Sequence, residues 1–245
     1  LASPQGPAEP ERPAAAVVDA AIAILREMPA GKRFFLFVHL YDPHADYEPP
    51  SEFADLPPYD GEIAYVDREI GRLLGHLAGS GHSGTTAVAL VSDHGESLGS
   101  HGETTHGVFV YEPVLRVPFL LSGPGIAAGT RVAAPVTLAD VMPTLLDLAG
   151  VPVPPGLSGQ SLLASARGGP EPAARAIYFE NQLPRVEFGW APLSGVRRGG
   201  LKLIMAPRPE LFRLPEDPAE ERNVWASDPE AAAMREALRA TVARW

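Results

Sequence analysis

The chain has 245 residues, 45% of them hydrophobic, with a mean hydropathy of −0.01, so it is globular in character and long enough for a sizeable core. A net charge of −10 and a pI near 5.2 exclude nucleic acid and anionic membrane surfaces as bulk partners, though not a local positive pocket. Cysteine is absent, which removes disulfides, thiolate metal sites and a cysteine nucleophile from these residues, and no apolar run approaches the ~20 residues of a membrane span.

Residues 1–13 read as a proline-rich linker, and the start at Leu1, with no signal-peptide pattern, reads as the middle of something longer. Compartment, whether a bacterial-type cytoplasm or a periplasm, is therefore not set by this N-terminus. Ala14, Val17, Val18, Ala21, Ile22, Leu25 and Met28 share one helical face, and Gly31 closes that helix. Phe34 to Leu40 is almost wholly apolar, the pattern of a strand covered on both faces. A loop stiffened by Pro43, Pro49 and Pro50 follows and carries His44. Asp60 then opens an amphipathic helix with Ile63, Val66, Ile70, Leu73, Leu74 and Leu77 inward.

Thr86 to Val91 forms the next strand. Strand, helix and strand in this order predict a parallel βαβ unit, hence an α/β chain with a mostly parallel sheet between helices. Leu115–Leu121 gives a further strand. Thr137 to Asp140 has capping-box form and opens a helix to Ala149. Residues 151–176 read as a linking loop. Ala176–Glu180, Leu193–Arg197 and Leu201–Met205 are short strands, the last two joined by a Gly-Gly turn. A final helix after Asp228-Pro229 carries Met234, Leu238, Thr241, Val242 and Trp245 on one side. The organisation expected is a linker (1–13), an α/β domain (14–165) and a small α+β subdomain (166–245).

The chemistry concentrates after Val91. Asp93 and His94 stand at the carboxyl end of a buried strand, where ligands bind in open α/β sheets. A carboxylate beside an imidazole suits a divalent cation such as Mn²⁺, Zn²⁺ or Mg²⁺; the plainer reading is a turn in which Asp93 caps the next segment. His44, on its rigid loop, suits a proton donor or an anion-holding group, against the plainer reading of an exposed imidazole. His101 and His106 lie in a Gly-rich loop, one to bind substrate and the other to orient a neighbour. His39 reads as a core histidine, and His76 and His82 as solvated. Zinc bound by His94, His101 and His106 matches no familiar ligand spacing. Glu96 and Glu103, an acid–base pair by type, read on a loop as solvated charges.

Several pieces together resemble the sulfatases of the alkaline phosphatase superfamily. They are His39-Leu-Tyr-Asp-Pro-His44, Tyr59 to Asp67, Ser92-Asp-His-Gly-Glu-Ser-Leu-Gly99, Thr105-His-Gly107 and Tyr111 to Pro118, with Asp140 to Gly150 and Glu210 to Asn223 extending the match. The resemblance spans roughly residues 30 to 225. It implies metal-assisted cleavage of a small anionic sulfate ester through a covalent enzyme intermediate, with one divalent ion (Ca²⁺, Mn²⁺, Mg²⁺ or Zn²⁺). Asp93 and His94 would match metal ligands, although relatives often carry Asn at the second place. His44 would match a histidine on the substrate's anionic oxygens or leaving group, and His106 a basic substrate contact that is Lys in many relatives. The family's nucleophile motifs, Cys/Ser-x-Pro-x-Arg and Thr-x-Pro-Ser, do not occur. The expectation is the distal half of such an enzyme, its nucleophile supplied by a missing N-terminal part. A phosphate or phosphonate ester hydrolase or transferase of the same superfamily, and a catalytically inactive binding remnant, are the alternatives.

Overall fold

The computed structural model describes residues 12–29, 31–82 and 84–243. Most of the 1–13 linker, and Trp245, lie outside them. The chain divides into two compact units, one ending at Thr86 and one beginning at Ala87. No helix among the described residues is long and apolar enough to cross a membrane.

In the first unit, helix α1 (Ala14–Glu27) buries Ala14, Val18, Ala21, Ile22 and Leu25, the face its spacing predicts. Helix α2 (Pro58–Gly79) packs on it through Tyr65 and Val66. Pro58 starts α2 two residues before Asp60, because its fixed φ suits the first helical position. The inward face of α2 is also rotated from the expected one. Ile63 and Leu74 are exposed, while Glu62 and Glu69 are buried. Each glutamate is held there: Glu62 Oε1 accepts the Glu48 N–H at 2.8 Å, and Glu69 pairs with Arg68 and Arg72.

Phe34–Leu40 departs from the expectation of a two-sided buried strand. It is extended but belongs to no ladder, and its side chains alternate between half-buried and exposed, with Phe35 80% and Phe37 76% exposed. A strand becomes one by pairing, and here the apolar run meets protein on one side only. His39 is accordingly exposed between the rings of Phe37 and Tyr41, not in a core.

In the second unit, β1 (Val88–Val91) pairs antiparallel with β2 (Phe119–Ser122), Val88 opposite Ser122. The residues between them include a short helix, α3 (Glu112–Leu115), where the sequence suggested the start of a strand. The chain remains mixed α/β, but every ladder among the described residues is antiparallel. Thr137 and Asp140 form the predicted capping box before α4 (Val141–Leu148). Asp140, fully buried, also accepts the Gln160 N–H and pairs with Arg175, so it fastens the following loop, which contains α5 (Leu163–Ala166).

Beyond it comes a four-stranded antiparallel sheet, β3 (Ala176–Asn181), β4 (Leu193–Arg198), β5 (Leu201–Met205) and β6 (Glu210–Arg213), in chain order. Helix α6 (Leu183–Phe188) lies between β3 and β4, and α7 (Ala231–Val242) closes the chain. Side chains alternate across this sheet. Val196, Leu201, Leu203 and Leu211 pack against Met234 and Leu238 of α7. Ile204 and Phe212, from the opposite face, pack with Val110, and Tyr111 and Leu115 cover them. The sheet is thus the floor on which the segment after His106 lies. Val242, 47% exposed, falls outside the expected inner side of α7.

Candidate active site

The turn after β1 is fixed by its backbone before any side chain is considered. The Gly95 N–H donates to Val114 O in α3 at 2.8 Å. A Cβ on Gly95 would stand 2.1 Å from the Pro113 carbonyl oxygen, so only glycine permits this approach. Asp93 Oδ1 accepts the His94 N–H at 3.1 Å, a local turn contact, and the carboxylate stays exposed.

His94 Nδ1 lies 3.0 Å from Gly95 O. A carbonyl only accepts, so Nδ1 carries the proton and the lone pair resides on Nε2, the form in which imidazole binds a cation. His106 sits beside it, the two ring centroids 4.0 Å apart and tilted by 32°. Its Nδ1 stands 2.8 Å from Oε1 of Glu96, a buried carboxylate. Glu96 therefore fixes ring orientation and tautomer, as carboxylates behind functional histidines do. Its second oxygen, Oε2, is buried with no hydrogen-bond partner among the described residues.

Asp93 and His94 could hold a divalent cation. The donor set, an exposed carboxylate oxygen with an imidazole nitrogen in the right tautomer, suits a hard or borderline ion, and an unpaired buried carboxylate oxygen nearby adds negative potential.

The other candidates separate by role. Glu103 is a buried staple rather than a solvated charge: it accepts from Ser97 Oγ at 3.0 Å and from the Val108 N–H at 2.6 Å, closing the loop on itself. Glu96 is likewise buried, behind His106. His101 belongs to the fold. Its ring stacks on Tyr111 with centroids 3.5 Å apart, and its Nε2 lies 3.0 Å from Ala219 O. His44, in the first unit, stacks on Tyr41 at 4.5 Å with Nδ1 2.6 Å from Ala45 O. Its loop is secured by more than prolines, since Asp42 Oδ1 accepts the first N–H of α1, from Ala14, at 3.0 Å. Sequence reasoning did not find the partnership of Glu96 with His106. They are ten positions apart in a loop, with no periodicity to join them.

A carboxylate-backed pair of histidines beside an aspartate, at the carboxyl end of a strand, is the kind of site a metal-assisted ester hydrolase uses. Comparison with known proteins gives the family. The sulfatase family model matches residues 4–151, and a model described as N-sulphoglucosamine sulphohydrolase, C-terminal, matches residues 99–245. The chain belongs to the sulfatase family. Arylsulfatase K of Bos taurus is 34% identical over 184 residues, covering 70% of this chain and 33% of its own. Among solved structures, BT4656 in complex with its substrate D-glucosamine-2-N,6-O-disulfate superposes with a TM-score of 0.68 at 30% identity, covering 76% of this chain and 40% of that one. A phosphonate monoester hydrolase of Agrobacterium radiobacter gives 0.62 at 27% identity, with 76% and 40% coverage. The chain spans about a third of the length of the curated relatives it matches. Members of the family typically bind a divalent metal.

Proposed function

We propose that these residues are the distal part of a metal-dependent sulfuric ester hydrolase acting on a small anionic ester, with residues 14–165 in its α/β domain and 166–245 as its C-terminal subdomain. The observation that carries the reading is the His94–His106 pair, with Glu96 behind it, at the end of β1 in a chain of the sulfatase family. Asp93 and His94 hold one divalent cation, Ca²⁺, Mn²⁺, Mg²⁺ or Zn²⁺. When bound, that ion lowers the pKa of the attacking group and neutralises charge on the group transferred.

His106, its Nδ1 fixed on Glu96, turns Nε2 towards the anionic oxygens of the ester. His44 serves the leaving group: as the sulfur–oxygen bond to the alcohol breaks, the departing oxygen takes a proton from it. The attacking residue stands outside these 245 residues, which contain neither cysteine nor the family's nucleophile motifs. A covalent sulfuryl intermediate forms on that residue, and water releases it as sulfate. A second reading, a phosphonate or phosphate ester hydrolase or transferase with the same site, is favoured by the likeness to the Agrobacterium enzyme.

The test is turnover by the polypeptide that contains these residues together with its nucleophile, on aryl sulfate and aryl phosphonate monoesters in parallel. His44→Ala and His106→Ala should each lower kcat by about a hundredfold or more, with far-UV circular dichroism unchanged. Faster turnover of the phosphonate establishes the second reading. Unaltered kinetics in both variants removes their roles, and no turnover together with no divalent binding leaves a non-catalytic binding protein.

A further inference from the structure

We infer that helix α6, with the aromatic pair at its C-terminal end, forms the wall that receives the ring of the substrate's alcohol half on the His106 side of the site. The inference rests on the proposed hydrolase reading. The β3–α6 corner is tied directly to the residue after His106. Asn181, the last residue of β3, donates from Nδ2 to Gly107 O at 2.7 Å and to Val108 O at 3.0 Å. Its Oδ1 accepts the Leu183 N–H at 2.9 Å, so one side chain joins the start of α6 to the His106 loop. The Leu183 side chain lies against the loop there, since a Cβ on Gly107 would meet Leu183 Cδ2 at 3.0 Å.

Helix α6 ends at Gly189, whose φ of 66° turns the chain out of the helix in a capped end. The Trp190 N–H donates to Pro184 O, in the first turn of the helix, at 3.0 Å. The rings of Phe188 and Trp190 lie 4.9 Å apart at 32°. The surface this makes is apolar and open: Val186 is 74% and Trp190 48% exposed, and neither belongs to a core cluster of the unit. A sulfate group is polar on every side and is served by the histidines and the cation. What remains of the ester is its alcohol. Trp190 closes the helix whose first residue is bonded through Asn181 to the His106 loop, and a tryptophan face suits a ring with a flat apolar face, aryl or pyranose, because stacking adds to area burial.

The experiment compares wild type, Trp190→Ala and Trp190→Phe in the polypeptide that carries the nucleophile. It measures kcat/KM on 4-nitrophenyl sulfate, glucosamine 6-sulfate and the ringless methyl sulfate. Trp190→Ala should lower the ratio of ring ester to methyl sulfate about three- to tenfold, through KM rather than kcat, and Trp190→Phe should restore most of it. Loss confined to the aryl ester assigns an aryl ring, and loss confined to the sugar ester a pyranose. An unchanged ratio for both ring esters overturns the inference, as does a change of oligomeric state without a change in ratio. If wild type hydrolyses none of the three, the hydrolase reading has failed, and the wall is read separately from quenching of tryptophan fluorescence by 4-nitrophenol and displacement of that quench by glucosamine. Quenching lost in Trp190→Ala upholds the ring site, and quenching by neither probe overturns it.

Discussion

Lys202 offers the sharpest test of how the floor of the site is held. It is fully buried on β5, on the sheet face that meets the segment after His106. Its Nζ lies 2.7 Å from Glu220 Oε1 and 3.2 Å from Glu112 Oε1, with the Phe179 ring 5.4 Å away. Glu112 begins α3, the helix on which Gly95 rests. Replacing Lys202 with methionine keeps the volume and removes the charge, leaving two carboxylates in a buried space without their shared cation. Breaking a buried pair from one side costs about 3–5 kcal/mol. Adding Glu220→Gln removes one stranded charge, and Arg197, 2.9 Å from Glu112 Oε2, continues to serve the other. The double variant should therefore recover to within about 1–2 kcal/mol of wild type, the range left by imperfect hydrogen bonding. Urea unfolding followed by far-UV circular dichroism measures both values. A single-variant loss below about 1 kcal/mol, or a double variant worse than the single, would refute the reasoning.

Other outcomes follow from the same contacts. Gly95→Ala places a Cβ 2.1 Å from Pro113 O and should cost about 1–3 kcal/mol, with a displaced Asp93–His94 turn visible as weakened metal binding; unchanged stability and binding would show that the turn has room. Burial holds the Glu220 carboxyl above its ordinary value of 4.5, against the opposing pull of Lys202. The folded state then keeps that proton to higher pH than the unfolded one. The group's contribution is greatest below about pH 4.5 and declines as pH rises through the folded value. The stability of wild type relative to Glu220→Gln should accordingly fall as pH rises from 4.5 through the raised folded value, and a difference flat with rising pH would contradict the burial argument.

Much of this was legible in the sequence, for identifiable reasons. The inner face of α1, the β4–β5 hairpin through Gly199-Gly200 and the Thr137–Asp140 capping box depend on local patterns that tertiary contacts do not override. Asp228 lies before α7 but does not cap it: the N-cap is Glu230, and Asp228 accepts the Glu230 N–H in a local turn while pairing with Arg213. The sequence placed Asp93 and His94 at the end of β1, where they are. It could not say which strand pairs with which. β1 and β2 are neighbours although a loop and α3 intervene, and no periodicity carries that information. The face of α2 was misjudged because hydrophobicity alone puts Ile63 inside, whereas the arginines that satisfy Glu69 make a buried glutamate acceptable. Glu96 and Glu103 misled in the same way. Loop carboxylates are usually solvated, and only their partners, His106 Nδ1 and the Val108 N–H, reveal them as internal supports. β6 shows in the sequence only as part of the Glu210–Asn223 likeness, because four residues are too few to display a strand's alternation.

The central claim, that Asp93 and His94 hold a divalent cation, is tested most directly by calorimetric titration of Mn²⁺, Ca²⁺, Mg²⁺ and Zn²⁺ into the polypeptide containing these residues and into its Asp93→Ala and His94→Ala variants. Loss of a ligand should weaken binding by about a hundredfold or more. The account predicts one ion per chain in wild type and that loss in each variant. Binding of equal strength in wild type and Asp93→Ala would contradict it.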